Sequence, residues 1–595
     1  MKEDNTSLIF WKSFLIASLG AGLLIWFSWF VFLDSQGVGI DDANIFKVYA
    51  QNLSHGLGFV YQPGGERVEG FTSLLYTLLL SFAYKITGNL DVSGLLIGLS
   101  TFLAVVVLTT KLAYFIGLKN QKLLNPEWSA RIILVWMLAS PYFVIWLGVS
   151  QMDTGLWTLM LLLALNWCLK IDVNRLQWRQ ILEGGVIMSL LVLTRPEGML
   201  VGLLMPMCWV LKGLLATRAT ASQSHEKLVS FHQVIMGGWL FLFWLAGVAG
   251  LTGFRLQYFG WPLPNTFYAK VSPDAWYRIG QGLLYAGSFL WHQPIMLAVI
   301  WVWGWVTHNI LKNVVKRQTQ ETSIHPAEVF GFLVLWLFLG LLFLIPIFNG
   351  GDHFAGWRMY QPLWPVAGLL TVFYLVYHLP NWLRKIFNRY SCWPVCAGFF
   401  MLIIISQPYL IGQNQLSLSA FGSEFAIAKV GRQAGALLNS WFKPDQPKPV
   451  VGVIAAGGLA LTYWGEVYDL LGLNEPSVAH DGGERKGIKN HASLNARLVE
   501  IKKPDILFPL AMLYAQVSQI THISQALSFN TLFAQTLFAS APLAESYRLV
   551  WISQTKLTPI GIHPTTVGIV CYIRQDYLDQ LQATGMFQVK TFDFK

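Results

Sequence analysis

Two adjacent carboxylates, Asp41 and Asp42, directly follow the first long apolar segment of the chain, and the same stretch carries Arg67 and Glu69. A carboxylate can serve as the general base that takes the proton of an attacking hydroxyl group. A neighbouring cation can hold the phosphate of a leaving group. Charged side chains beside a membrane span are costly and often mark functional sites. We therefore interpret residues 34–73 as the catalytic loop of a membrane-bound transferase.

Similar polar residues occur in other connections that are predicted to lie on the same side of the membrane. The candidates for binding a phosphate or a sugar are Arg67, Glu69, Arg195, Glu197, Asn265, Lys270, Asp352, His353 and Arg358. With Asp41 or Asp42 as the base, this set suits an inverting sugar transfer from a lipid phosphate, which needs a base, cations and a groove open to the lipid. His353 has no second His or Cys at metal-ligand spacing, so we expect no metal site. We also expect no tightly bound cofactor, since the lipid-linked sugar is itself the donor substrate.

Each candidate also has a structural explanation. Asp is favoured at helix N-caps, where it contributes roughly 1 kcal/mol, although a cap needs only one of the two aspartates. Arg195 and Glu197 could form a structural salt bridge, and His353 could simply be packed. The gathering of so many charged residues on one predicted face of the membrane is what favours a functional site.

The composition indicates an integral membrane protein. Of 595 residues, 54% are hydrophobic and 12% are charged, whereas about 25% of residues are charged in soluble domains. The net charge of +10 comes from Lys and Arg scattered between apolar segments, which is typical of topology-setting residues and not of a nucleic-acid-binding surface. The five cysteines, an odd number, argue against a disulfide framework.

Hydropathy and the positive-inside rule predict an α-helical polytopic membrane protein with about 11 transmembrane helices. The predicted spans are 13–33, 92–115, 130–150, 154–171, 180–194, 197–213, 229–251, 292–309, 327–347, 361–379 and 393–413. A further apolar stretch, 72–86, is predicted to be a shallow helix on the outer side, because a crossing there would place Lys111 and Lys119 outside. This topology predicts a cytoplasmic N-terminus in a bacterial cytoplasmic membrane, with the candidate site facing outward.

Prolines predict two breaks among the apolar segments. Pro141 should kink or break the third span, because proline removes a backbone donor and clashes with the preceding turn. The segments 180–194 and 197–213 are short for a bilayer, and Pro196 between them predicts a tight turn near the outer surface.

The chain changes character after residue 413, where it becomes more polar. Strand-like runs are predicted at 450–454, 506–508 and 567–573. We therefore predict a transmembrane catalytic domain over residues 1–413 and a soluble extracytoplasmic α/β domain over residues 414–595. The soluble domain is expected to help bind the acceptor, and Asp469 within it is expected to cap a turn.

The candidate residues lie in motifs that resemble a known family. The motifs are Asp41-Asp42-Ala43, Tyr49-Ala50, Asn52-Leu53, Pro63-Gly64-Gly65-Glu66-Arg67-Val68-Glu69-Gly70-Phe71-Thr72-Ser73, Met152-Asp153-Thr154, Thr194-Arg195-Pro196-Glu197-Gly198, Pro264-Asn265-Thr266, Tyr268-Ala269-Lys270, Gly350-Gly351-Asp352, Arg358 and Tyr468-Asp469-Leu470-Leu471-Gly472-Leu473. With these motifs the chain resembles the AftB-like terminal arabinofuranosyltransferases of the GT-C class of membrane glycosyltransferases. The resemblance runs over most of the chain.

The resemblance implies a GT-C fold, a polyprenyl-phosphate arabinofuranose donor and an inverting reaction. It also implies that the base is a first-loop aspartate, assigned first to Asp41 and second to Asp42. Asp153 departs from the pattern, since relatives often have Glu there. The overall composition is also unlike that of arabinan-building actinobacteria. The acceptor therefore stays open between cell-wall arabinan, another surface glycan and a protein such as a pilin.

Three alternatives are left open by the sequence. A related GT-C enzyme would transfer mannose or aminoarabinose from its lipid phosphate. A transporter or lipid flippase would place its charged site near mid-membrane within repeats, and the sequence shows no repeat. A non-enzymatic assembly or sensor protein would act through the C-terminal domain alone.

Overall fold

The computed structural model describes most of the chain. The described residues are 20, 37–119, 126–171, 178–217, 223–316, 326–378, 418–443, 445–487, 494, 496–514, 537–539, 541–554 and 568–592. Apart from residue 20, the predicted span 13–33 lies outside the described residues, as do the predicted span 393–413 and the predicted domain boundary after residue 413.

Helices form most of the described chain. They are α1 (Asp41–Ser54), α2 (Leu74–Thr87), α3 (Leu90–Lys119), α4 (Pro126–Leu138), α5 (Pro141–Val144), α6 (Thr154–Lys170), α7 (Trp178–Thr194), α8 (Gly198–Thr217), α9 (Gln223–Tyr258), α10 (Asn265–Lys270), α11 (Ala275–His292), α12 (Pro294–Lys316), α13 (Pro326–Phe348), α14 (Leu363–His378), α15 (Leu418–Trp441), α16 (Ala456–Thr462), α17 (Pro476–Ala479), α18 (Ala496–Lys502), α19 (Ala541–Ser546) and α20 (Gln575–Ala583).

Several helices fit a multi-pass membrane protein. In the part of the chain that the structure describes, three stretches are long and apolar enough to cross a membrane: Leu90–Leu118, Ile235–Tyr258 and Val329–Phe348. Two bent helix pairs, Pro126–Leu138 with Pro141–Val149 and Ala275–His292 with Pro294–Trp305, would raise that number to five. The larger number of spans predicted from hydropathy therefore stays a prediction.

The break predicted at Pro141 is confirmed. The helix axis bends by 80° there. The Ser140 hydroxyl accepts a hydrogen bond from the Phe143 amide, and Pro141 occupies the first turn of α5. A backbone N–H at that position would have no partner within the helix, so proline is tolerated there. A short π-helix, Ile145–Val149, continues the bent segment. The bend brings the end of this segment toward the start of α1.

The turn predicted around Pro196 is also confirmed, because α7 ends at Thr194 and α8 begins at Gly198. The two helices approach so closely that a Cβ at Gly198 would lie 2.0 Å from the Leu191 carbonyl oxygen. Only glycine fits at that position. The turn therefore fixes the side chains of Arg195 and Glu197 at one end of the helix pair.

Helix α11 lies between the predicted spans 229–251 and 292–309, where the sequence predicts a connection. Its first residue is capped by Asp274, whose carboxylate accepts a hydrogen bond from the Tyr277 amide. One face, including Phe289, is buried, while Trp276 and Trp291 on another face are strongly exposed. An amphipathic helix of this kind has too mixed a composition to stand out as a membrane span.

The C-terminal region contains a six-stranded mixed sheet with the order β2-β1-β3-β5-β4-β6. The strands are β1 (Val451–Val453), β2 (Val467–Asp469), β3 (Ile506–Tyr514), β4 (Tyr547–Gln554), β5 (Gly568–Arg574) and β6 (Phe587–Phe592). Strand β1 pairs in parallel with β2 and β3, and the other pairings are antiparallel. The strand-like runs near 450, 506 and 567 correspond to β1, β3 and β5, whereas β2, β4 and β6 were not predicted.

A buried polar cluster locks α1 between α3 and α15. Lys47 is fully buried and its Nζ lies 2.6 Å from Asp91. Arg432 of α15 bonds the same carboxylate at 2.8 Å and also the Asn44 side chain. Burial lowers the pKa of Lys47 to about 7, and the Asp91 carboxylate opposes that effect. The cluster therefore holds the N-terminal half of α1, with its two aspartates, in a fixed position.

Candidate active site

The N-terminus of α1 presents Asp41 and Asp42 in different directions. The segment before it is held in place by the Ile40 amide, which donates to the Ser150 carbonyl at 3.3 Å. Gly39 has φ of +73° and packs against the Ser150 backbone. Because successive residues of a helix are rotated by about 100°, the two neighbouring carboxylates face different surroundings.

Asp41 points toward the C-terminal region. Its two carboxylate oxygens accept hydrogen bonds from the amides of Gly457 at 2.9 Å and Gly458 at 2.7 Å, at the start of α16. Burial raises the pKa of Asp41 to about 6, although the two amide bonds oppose this. A Cβ at Gly457 would lie 1.9 Å from the Asp41 carbonyl oxygen, so the close approach depends on glycine. Asp41 therefore joins the first loop to the C-terminal region.

Asp42 points instead into a cavity of about 260 Å³. Its side chain is 19% exposed and lies 3.4 Å from the Lys270 ammonium group. Burial alone would raise the pKa of Asp42, but the nearby Lys270 ammonium, Arg358 guanidinium and His353 ring act in the opposite direction, and the pKa is lowered. The carboxylate is therefore ionised at neutral pH, as a general base must be.

The cavity collects charged residues from four separate segments. Those that line it are Asp42, Arg195, Glu197, Lys270, Asp352 and Arg358. Its other wall is apolar and includes Phe46, Leu200, Leu263, Phe267 and Val271. Leu200 is 54% exposed and Phe267 is 38% exposed, so the apolar wall continues onto the outer surface of the helices. A ligand with a charged head and a long apolar tail would match this division.

Asp352 organises the charges on one side of this cavity. Its carboxylate bonds Arg358 at 2.8 Å and lies 3.3 Å from the His353 ring. The preceding residues, Gly350 and Gly351, have φ of +80° and +71°, a conformation that favours glycine. The loop thus carries Arg358 to the cavity wall with its guanidinium partly neutralised.

Arg195 and Glu197 lie on the opposite side. The Arg195 guanidinium is 3.4 Å from both Asp153 and Glu197. Glu197 also accepts a hydrogen bond from the Asn349 side chain at 3.0 Å. The two Arg195 distances are longer than the 2.7–2.9 Å typical of strong charged hydrogen bonds, so Arg195 lies close to both carboxylates without being tightly paired to either.

Three predicted binding residues lie away from this cavity. Glu69 forms a buried bidentate pair with Arg255, with oxygen–nitrogen distances of 2.7 and 2.8 Å. The Arg67 guanidinium lies over the Tyr258 ring, 4.6 Å from its centroid. The Asn265 side chain donates to the carbonyls of Gly472 and Leu473. All of these contacts hold the first loop and α10 against their neighbours.

His353, the remaining predicted residue, lines a second cavity beside the first. Asp469 of the C-terminal region accepts hydrogen bonds from the amides of Leu471 and Asn474, both at 2.9 Å, in agreement with its predicted role as a turn cap. Within the described residues, no group of three His, Cys, Asp or Glu side chains is arranged to hold a metal ion.

Glu424 on α15 is a further carboxyl group near the site and is not among the residues predicted from the sequence. Burial is the main cause that raises its pKa to about 8, and the negative charges of Asp42, Asp41 and Asp352 act in the same direction, against Arg358. Glu424 is therefore largely protonated at neutral pH. No local motif marks it, because its neighbours come from segments far away in sequence.

Replacing Glu424 with Gln should stabilise the protein at alkaline pH. The ordinary pKa of the carboxyl is 4.5 and its folded value is about 8, so the folded parent becomes less stable as pH rises through this range. Gln cannot ionise. Thermal melts in detergent should therefore show little difference between variant and parent near the acid end of this range, and a higher Tm for the variant near its alkaline end. The exposed Glu545, replaced by Gln, is the control; a difference that does not change with pH would contradict the assignment.

Comparisons with known proteins found matches among solved structures and none among curated protein sequences or family profiles. Among solved structures, the chain is similar to ArnT from Cupriavidus metallidurans bound to undecaprenyl phosphate, with 12% identity and a TM-score of 0.45. It is also similar to the same protein in the apo state, with 11% identity and a TM-score of 0.46. Both alignments cover 92% of this chain and 97% of the other. The roles of individual residues therefore have to come from the site itself.

Proposed function

We propose that the chain is a GT-C glycosyltransferase that moves an arabinofuranosyl residue from polyprenyl phosphate to an extracytoplasmic acceptor. The observation that carries the proposal is Asp42, an ionised and partly buried carboxylate in a cavity that also presents Lys270, Arg358 and an exposed apolar wall. The choice of arabinofuranose is supported by the first-loop motifs. The proposed location is the outer face of a bacterial cytoplasmic membrane, with the N-terminus in the cytoplasm.

The proposed reaction is a single displacement at the anomeric carbon. A hydroxyl oxygen of the acceptor forms a bond to that carbon while the bond to the phosphate oxygen breaks, and the electron pair leaves with the phosphate. Asp42 takes the hydroxyl proton as the new bond forms. Direct displacement from the opposite side inverts the anomeric configuration.

Lys270 couples donor binding to activation of the base in this proposal. Its ammonium group is 3.4 Å from Asp42, a looser contact than a strong charged hydrogen bond. The donor phosphate, held by Lys270 and Arg358, would draw the ammonium group away from Asp42 and leave the carboxylate free for the acceptor. As the leaving phosphate gains negative charge, the two cations stabilise it.

The apolar wall is the proposed path of the polyprenyl chain. Leu200 and Phe267 join the cavity to the exposed surface of the helices, so the tail can stay in the bilayer while the sugar phosphate enters the cavity. Asp41 has a separate role here. It fastens the C-terminal region onto the first loop through Gly457 and Gly458, and that region contributes Leu473 to the cavity wall.

The test is a transfer assay with the purified chain in detergent and polyprenyl-phosphate arabinofuranose as donor. Mass spectrometry should detect release of polyprenyl phosphate and a pentose added to an acceptor glycan, or slow hydrolysis by water in its absence. Faster turnover of a mannose or aminoarabinose donor would change the sugar and keep the reaction. Movement of lipid across proteoliposomes without turnover of any donor would instead show a transporter and overturn the proposal.

A further inference from the structure

A second cavity, of about 570 Å³, adjoins the first. The two share three lining residues, Lys270, Asn349 and Asp352. A ligand in the second cavity would therefore reach the first cavity beside Lys270 and Asp352, the two charged groups near Asp42. This is where the acceptor of a sugar transfer would have to approach.

The walls of the second cavity come from α11, the 349–353 loop and the C-terminal region. Ser272 donates to the Glu484 carbonyl at 2.9 Å, and the Gly487 amide donates to the Tyr277 hydroxyl at 2.8 Å. These bonds fasten the segment 484–487 over the start of α11. The C-terminal region thus closes one side of the second cavity.

Most residues that line the second cavity carry a polar side chain. They include Arg278, Gln281, Asn349 and His353. Hydroxyl, amide and guanidinium groups of this kind suit a ligand with many hydroxyl groups. The apolar wall of the first cavity has a single aliphatic counterpart here among the described residues, Leu284.

Arg278 is the charged residue of the second cavity that lacks a carboxylate partner among the described residues. Its Nε donates to the Phe348 carbonyl at 2.9 Å and its Nη1 to the Ser272 carbonyl at 2.7 Å. Its stem passes over Gly350, where a Cβ would lie 3.0 Å from the Arg278 Cγ. The two neutral carbonyls orient the guanidinium group and leave the Nη2 donors available.

The other charged groups around the second cavity are compensated. Arg485 pairs with Asp481 at 2.7 Å, Asp352 with Arg358 at 2.8 Å and Lys270 with Asp42 at 3.4 Å. Among the described residues, no carboxylate lies within salt-bridge distance of Arg278. A fixed, uncompensated guanidinium in a polar cavity attracts a carboxylate or phosphate.

We infer that the second cavity is the acceptor subsite and that Arg278 selects an acceptor carbohydrate bearing a negative group, either the carboxylate of a uronic acid or a phosphate ester. That the ligand is an acceptor rests on the proposed function, whereas the preference for a negative group rests on the residues of the second cavity. The negative group on Arg278 would orient the sugar so that a hydroxyl reaches Asp42 across Lys270 and Asp352.

The test measures binding to the full chain in detergent by calorimetry. The probes are a galacturonate-terminated disaccharide, its galactose 6-phosphate counterpart and the neutral galactose disaccharide. The parent should prefer one or both charged sugars, and their relative affinities identify the source of the negative group. In Arg278→Gln, affinity for the charged sugars should fall by about tenfold or more, with the neutral sugar unaffected.

Two controls separate charge from structure. Arg278→Lys keeps the charge but cannot span both carbonyls, so it should retain most of the preference for charged sugars. Lys590→Gln removes an exposed charge on β6, away from both cavities, and it should change nothing. Equal losses for charged and neutral sugars in both Arg278 variants would show a purely structural role and would overturn the inference, as would tighter binding of a neutral serine peptide than of any sugar.

The transfer assay distinguishes this inference from the proposed function. Arg278→Gln should raise the KM for a charged acceptor while the slow hydrolysis of donor by water is unchanged. Failure of the parent to turn over any donor would overturn the proposed function, and the calorimetric preference would still decide the role of Arg278.

Discussion

Replacing Asp42 with Asn should lower the rate of sugar transfer by about 100-fold or more, which is the usual contribution of a general base. The amide cannot take the proton of the acceptor hydroxyl, yet it has nearly the same shape. The lost contact is a loose one to Lys270 at 3.4 Å, so the Tm should change little. Single-turnover release of polyprenyl phosphate, measured beside a thermal melt, gives both quantities.

The matched control makes the same chemical change one residue earlier. In Asp41→Asn, one amide group would face the backbone N–H of Gly457 or Gly458, and two donors would oppose each other at a buried position. We expect this variant to lose stability first and activity only as a consequence. Full activity of Asp42→Asn, together with an inactive but equally stable Asp41→Asn, would show that the two roles are exchanged.

Replacing Arg255 with Met should have the largest effect on stability. Arg255 and Glu69 are each 2% exposed and bonded through two nitrogens. Burial raises the pKa of Glu69, and the Arg255 guanidinium opposes this. Removing the arginine leaves a buried carboxyl without its partner, which lowers the free energy of unfolding by about 3–5 kcal/mol. Denaturant unfolding in detergent is the measurement.

The control is the double variant in which Glu69 is also replaced with Met. Because a buried ion pair and two apolar side chains of similar size often have similar stability, the double variant should recover much of the loss. If Arg255→Met is as stable as the parent but does not bind the donor, the expectation is wrong. Glu69 would then belong to the donor site, as the first-loop motif suggests.

The features that were predicted from sequence depend on local signals. Pro141 lies within an apolar run and has no backbone N–H to bond the preceding turn, which is a local reason to predict a break there. The turn at Pro196 and the strand β1 likewise follow from a few adjacent residues. The convergence of Asp42, Lys270 and Arg358 on one cavity was anticipated because all were predicted to face the same side of the membrane.

The features that were missed depend on contacts between distant segments. The different surroundings of Asp41 and Asp42 could not be predicted from two identical neighbours, because Asp41 bonds the distant amides of Gly457 and Gly458. Glu424 owes its raised pKa to burial and to the carboxylates of Asp42, Asp41 and Asp352, which lie far from it in the chain. Arg255 and its buried partner Glu69 lie 186 positions apart in the chain, and no local pattern links them.

The anomeric configuration of the product tests the central claim most directly. The parent would be given polyprenyl-phosphate arabinofuranose of known configuration, and the new glycosidic bond would be assigned by nuclear magnetic resonance. Direct displacement with Asp42 as the base predicts inversion at the anomeric carbon. Retention of configuration would contradict it, because it requires either two displacements or attack from the same side as the departing phosphate.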